Sequence, residues 1–238
     1  MALGGDRQQA VLAVLLLHAN EVVSADVLID ELWGERPPPS ALNALHVNVS
    51  RLRRALGVNG DPQSDSALAT RGRGYVLRVE PGELDVDRFR CLLEQGRERL
   101  AAGDASQAAG TLRSALAMWR GAPLADFSDM PSARPAVAEL EELRLEALEE
   151  RVEADLALGV HRELIGELTA TVARHPLRER LRAQLMLALY RGGRQAEALG
   201  VYQEFRRRLS DELGLDPGPR LHQLELAILS RDPSLDLP

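Results

Sequence analysis

Three arginines fall within four positions of the stretch "VNVSRLRRAL" (residues 47–56), at 51, 53 and 54, threaded through an apolar repeat. A guanidinium is a permanent cation with a planar fork of donors, suited to phosphate oxygens and to the O6/N7 edge of guanine. Upstream, Asn43 and Asn48 carry amides that match the adenine edge, and Ala44 and Val47 add small apolar groups. A second basic cluster, Arg71 and Arg73, alternates with Gly72 and Gly74. The chemistry on offer is recognition of a nucleic acid. The plainer alternative is a solvated, charged helix face.

These groups can act only if local structure aims them outward. Residues 7–19, "RQQAVLAVLLLHA", read as an apolar helix ended by Asn20, and "VVS" as a short extended link. Ser24 is placed to cap the helix "ADVLIDELW", and the prolines of "GERPPPS" then break the chain. Ser40 is placed to cap a third helix running to Leu56, with a stop at Gly57. In it Leu42, Leu45, Val49, Leu52 and Leu56 form an inward stripe at steps of three and four. Asn43, Ala44, Val47, Arg51 and Arg54 then face the other way, Asn43 more squarely than Asn48. Arg53 lies beside the stripe, within reach of an acid or a phosphate. A polar loop (57–66) leads to "LATRGRGYVLRV", whose alternation flanks an Arg-Gly-Arg-Gly turn and predicts a β-hairpin. Three helices and a basic hairpin form a winged helix-turn-helix. Its third helix would enter the major groove, while Arg71 and Arg73 at the wing tip would meet phosphates or a narrow minor groove. Tyr75 is counted among the candidate DNA contacts, although it is expected half-buried at the hairpin base rather than against a base. Trp33 is expected to pack the second helix's end, with its indole N–H turned to a phosphate.

Charge follows the same division. Residues 36–78 hold seven arginines against Asp61 and Asp65, whereas the 238-residue chain carries a net charge of −7. A local basic block, not the global balance, is what a phosphate backbone meets. Lysine is absent, which excludes a P-loop or Schiff-base lysine. Cys91 is the single cysteine, and the five histidines lack metal-ligand spacing. No nucleophile–base pair stands out, and pairs such as Glu141-Glu142 and Glu149-Glu150 read as solvated helix faces. These features point away from an enzyme and imply no cofactor or metal. With no apolar run of spanning length, a cytoplasmic protein without membrane contact is expected.

"EPGELD" (80–85) marks a boundary between residues 1–80 and a helical domain over 84–238. Gly159 and Gly193 lie 34 residues apart in the matching stretches "LALGVHRELIGEL" and "LYRGGRQAEALGVY". That register pairs Leu156 with Tyr190, Ile165 with Leu199 and Leu168 with Tyr202. A weaker copy begins near Leu100. Paired helices at this period indicate a tetratricopeptide-like (TPR-like) repeat, so the chain is predicted mainly α. Its charged residues are expected to pair three and four apart on wet faces.

The stretches "VVSADVLIDELWGERPP", "LHVNVSRLRRALG", "TRGRGYVLRV", "ELDVDRF", "RHPLRER", "LMLALYRGGRQAEAL" and "ELGLDPGP" together resemble the Streptomyces antibiotic regulatory protein (SARP) activators across nearly the whole chain. The resemblance implies an OmpR-type winged helix followed by a bacterial transcriptional activator domain of TPR-like antiparallel helices. It further implies binding to direct repeats in double-stranded promoter DNA by protomers side by side. RNA polymerase holoenzyme would be recruited through its sigma and alpha subunits, switching on secondary-metabolite (antibiotic) genes. The opening "MALGGDRQQ" keeps only a remnant of the sheet that begins OmpR-type domains, so a truncated N-terminal sheet is expected. The ending "ILSRDPSLDLP" resembles the point where larger relatives continue into an ATPase domain. The alternatives are therefore a TPR-type interaction scaffold or the regulatory piece of a larger ATPase-containing regulator. No receiver-domain pattern accompanies these features.

Overall fold

A computed structural model describes residues 5–57 and 66–237; most of the loop expected at 57–66 lies outside them. Two compact units emerge: Met1–Arg88 with Trp119–Leu143, and Phe89–Met118 with Arg144–Pro238. The second stretch of the first unit lies inside the helical domain read from the sequence.

The first unit comprises α1 (Asp6–Leu17), β1 (Val23–Ser24), α2 (Ala25–Trp33), α3 (Ala41–Ala55), β2 (Leu68–Arg71) and β3 (Gly74–Leu77). Asn20 closes the turn after α1 with a left-handed backbone (φ 68°), a conformation that asparagine tolerates. Its side chain also exchanges two 3.0 Å bonds with the Val79 backbone, continuing the β3 edge. The "VVS" link does more than connect. Val23 and Ser24 pair with Tyr75 and Gly74, making an antiparallel sheet of order β1-β3-β2 where a two-stranded wing was expected.

Ser24 caps α2 as its position suggests, accepting from the Val27 amide at 3.2 Å. Ser40 does not cap α3 with its side chain, because its backbone (φ −106°, ψ 26°) is not in the extended conformation that aims a cap at the first amides. The core joins Val11, Val14 and Leu15 of α1 to Leu28, to Leu45, Val49 and Leu52 of α3, and to Leu68, Tyr75 and Leu77. Leu42 keeps the stripe's angle yet stays 48% exposed, since burial needs an opposing surface as well as a direction. Met130 and Ala133 complete this core from the far stretch of the chain. The Ser132 amide donates to both oxygens of Glu31 at 3.1 and 3.2 Å.

The second unit holds α4 (Asp85–Ala101), α5 (Ala105–Leu116), α6 (Ala133–Ala157), α7 (His161–Arg174), α8 (Glu179–Arg191), α9 (Gln195–Leu213) and α10 (Pro219–Ser230), apart from the ends of α4 and α6 that belong to the first. Gly103, Gly159 and Gly193 turn three helix pairs, each with φ near 80°. At each, the glycine amide and the next amide bond back to carbonyls three and five residues earlier. This double closure satisfies the last orphan carbonyls and requires the left-handed residue that glycine supplies. Leu168 and Tyr202, matched in the repeat, are both buried in one core with Leu156, Leu181, Met186 and Phe205. Gly103 and Gly159 are 56 positions apart, not 34. The surplus falls in Trp119–Leu143, the stretch that serves the first unit.

Charges in this unit are less wet than expected. Glu149 is 2% exposed and accepts two bonds from Arg178, at 2.8 and 3.2 Å, so it is neither a solvated face nor a free acid. Asp155 is likewise buried and held by Arg113 and by Arg151, which reaches on to Glu167 at 2.6 Å. Several pairs thus tie helix to helix, beyond the three-and-four spacing within one.

Candidate nucleic-acid interface

On α3, Asn43, Val47, Arg51 and Arg54 are exposed, while Ala44 and Asn48 are half-buried at the margins. Leu45, Val49 and Leu52 anchor the opposite side, which fixes the direction of this face. Neither Arg51 nor Arg54 has a carboxylate partner among the described residues. Ser50 belongs to the same face and is exposed, although the sequence reading passed over it. The signal was present: at about 100° per residue it lies only about 60° from Val47.

Asn48 donates its amide to the Ala44 carbonyl at 2.9 Å, back along the helix. That bond turns the half-buried Asn48 amide back along its own helix, so the exposed Asn43 is the better placed of the two for adenine readout. Among the described residues Arg53 bonds to the wing rather than to an acid. Its Nε donates to the Leu68 carbonyl at 2.9 Å and a terminal nitrogen to the Thr70 hydroxyl at 2.7 Å, with its guanidinium 6.0 Å from the Tyr75 ring centroid. It clasps α3 to the wing and so sets the angle between the two basic elements.

The wing turn places Arg71 and Arg73 around Gly72, whose φ of +57° favours glycine. Gly74 is needed for a different reason: a Cβ there would sit 2.4 Å from the Val23 carbonyl oxygen. The Ala25 amide donates to the Arg73 carbonyl at 2.9 Å, pinning the exposed Arg73 beside the start of α2. Arg71 is half-buried and takes part in contacts of its own.

Two residues expected at the interface turn inward. Tyr75 is only 5% exposed, fully in the core rather than half-buried. Burial raises its phenol above the ordinary tyrosine value, against the lowering pull of Arg53. The Trp33 indole N–H is buried without a hydrogen-bond partner among the described residues, so it cannot meet a phosphate in this arrangement. Its ring packs on the first core, with the Arg7 guanidinium 5.6 Å from the ring centroid. Both were placed by residue type; a neighbouring core surface decided otherwise.

Residues 4–77 match the family described as "Transcriptional regulatory protein, C terminal", and residues 84–229 the "Bacterial transcriptional activator domain". Regulatory protein DnrI of Streptomyces peucetius is 42% identical over 97% of this chain and 86% of its own. The chain belongs to the SARP family of transcriptional regulators. Regulatory protein AfsR of Streptomyces coelicolor is 47% identical over 99% of the chain, which spans only 23% of AfsR. The AfsR of Streptomyces griseus, 43% identical, is likewise spanned over 23% of its length. The solved structure of Mycobacterium tuberculosis EmbR in complex with a low affinity phosphopeptide superposes with a TM-score of 0.89 at 38% identity. That match covers 98% of this chain and 61% of the other. Among the described residues no helix is long and apolar enough to cross a membrane. In this SARP chain the outward α3 face lies within the first matched region and the glycine-turned helix pairs within the second.

Proposed function

We propose that the protein is a sequence-specific DNA-binding activator of transcription, not an enzyme. It seats α3 in the major groove of promoter DNA, with Asn43, Arg51 and Arg54 at base edges or phosphates and Arg73 at the neighbouring backbone. The observation that carries this reading is the clasp of Arg53 on Leu68 and Thr70, which holds an arginine-bearing helix face and an arginine-bearing turn in one fixed relation. Protomers occupy direct repeats side by side, and the helical unit engages RNA polymerase holoenzyme, with sigma and alpha as the subunits touched. The genes switched on belong to secondary metabolism, and the protein works in the cytoplasm.

Footprinting on promoters of the neighbouring gene cluster tests the reading. A protected direct repeat is expected, and affinity should fall steeply with salt as phosphate counterions are released. Inserting half a helical turn between the repeats should abolish cooperativity, because the two half-sites would then face opposite sides of the duplex. A TPR-type scaffold without DNA would show neither protection nor salt dependence.

A further inference from the structure

Val47 occupies the midline of the outward α3 face. At about 100° per residue, Arg54 and Asn43 lie about 20° and 40° to one side, and Arg51 and Ala44 about 40° and 60° to the other. Val47 is 49% exposed in the middle of α3, while Leu45, Val49 and Leu52 supply the helix's core contacts. A scattered exposed valine needs no account. One centred among an amide and two guanidiniums is different, because it occupies the point of closest approach when this face meets a groove.

We propose that Val47 is a specificity residue that reads the 5-methyl group of a thymine in the major groove. This rests on the DNA-binding function proposed above. The edges of base pairs in the major groove carry hydrogen-bond donors and acceptors, with one apolar exception, the thymine methyl. A valine side chain can neither donate nor accept, so facing a polar base edge would strip that edge of water without replacing its bonds. Facing a methyl, it buries apolar surface on both partners. Its β-branch holds one preferred rotamer in a helix, so little side-chain freedom is lost on contact. Ala44, half-buried about 60° away, projects only a methyl and leaves room for the thymine beside Val47. The half-site therefore holds an obligatory thymine flanked by purines that Asn43 and Arg51 or Arg54 can bond.

The test begins with selection of bound duplexes from a randomised library by the full chain. The enriched duplex is then resynthesised with single thymines replaced by deoxyuridine, which lacks only the methyl. One position per half-site should cost wild-type protein about fourfold in affinity, the worth of one buried methyl. The Val47→Ala protein should bind the all-thymine duplex more weakly and be indifferent to that same replacement. If the enriched duplex tolerates deoxyuridine everywhere, or if Val47→Ala keeps the wild-type sensitivity, the assignment is overturned while DNA binding stands. If no sequence is enriched at all, the DNA-binding reading fails and this assignment with it. Val47 is exposed and outside the core, so a folded variant is expected; unchanged thermal unfolding confirms it.

Discussion

The two units use arginine in opposite ways. On α3 of the first unit, Arg51 and Arg54 stand exposed on a face whose rear is fixed by leucine and valine. In the second, Arg178, Arg151 and Arg113 hold buried carboxylates of Glu149 and Asp155 and tie helices together. Residue type is the same and the surroundings decide the role. An arginine whose charge is already matched by a buried acid has little left to offer a phosphate. An arginine held outward without such an acid keeps its full attraction.

The largest effect should come from breaking a clamp in the second unit. Arg178→Met leaves Glu149 buried with Arg180, at 3.9 Å, as its remaining cation among the described residues. A loss of about 3 kcal/mol is expected, since an unpaired buried charge costs far more than an exposed pair gains. Thermal unfolding measures it, and the folded fraction should bind DNA as wild type does. Reduced intrinsic affinity of that folded fraction would break the division of roles.

Next is the core shared by distant stretches of the first unit. Met130→Ala should cost about 2 kcal/mol, the low end for a buried side chain of this size, because Met130 keeps a little exposure. A fragment ending at residue 80 lacks Met130, Ala133 and the Ser132 amide that holds Glu31. It should unfold at a lower denaturant midpoint than the same unit within the full chain. Chemical denaturation of the two, with Trp119→Phe in the full chain so that Trp33 alone fluoresces, compares them; equal midpoints would show that the far stretch adds nothing.

Arg51→Ala should then reduce operator affinity by about 1–3 kcal/mol and relax preference at one base pair, with unfolding unchanged. Arg73→Ala should have the smallest effect, a sequence-independent weakening with the slope of log affinity against log salt falling by about one. Titrations of selected and random duplexes at several salt concentrations separate the two. If Arg73→Ala instead changed sequence preference, the wing would be reading bases.

Much of this was legible locally. The turns at Gly159 and Gly193 followed from a 34-residue register, and their left-handed backbones are the physical reason glycine recurs there. The outward face of α3 followed from helical period alone, and four of its residues are exposed as that period requires. Period failed at Leu42, where direction was right and no surface covered it. It failed again at Glu149, which points inward because Arg178, 29 positions later, comes to meet it. Trp33 and Tyr75 were misplaced for a related reason. The polar tip of Trp33 suggested contact with a phosphate and that of Tyr75 a half-wet position, but both rings found core to pack against.

What the sequence by itself determined is therefore what depends on neighbours within a turn or two. It set the helices and their stops, the basic block, the face that the arginines share and the repeated glycine turns. Only the tertiary structure decided which charges are spent on the protein itself. It made Arg53 a clasp to a strand 15 positions away and drew "VVS" into the sheet. It also returned residues 119–143 to the first unit, where Ser132 meets Glu31 across 101 positions. Helical and strand periods arise from bonds between near residues, whereas a hydrogen bond across such a span exists only once the chain has closed on itself.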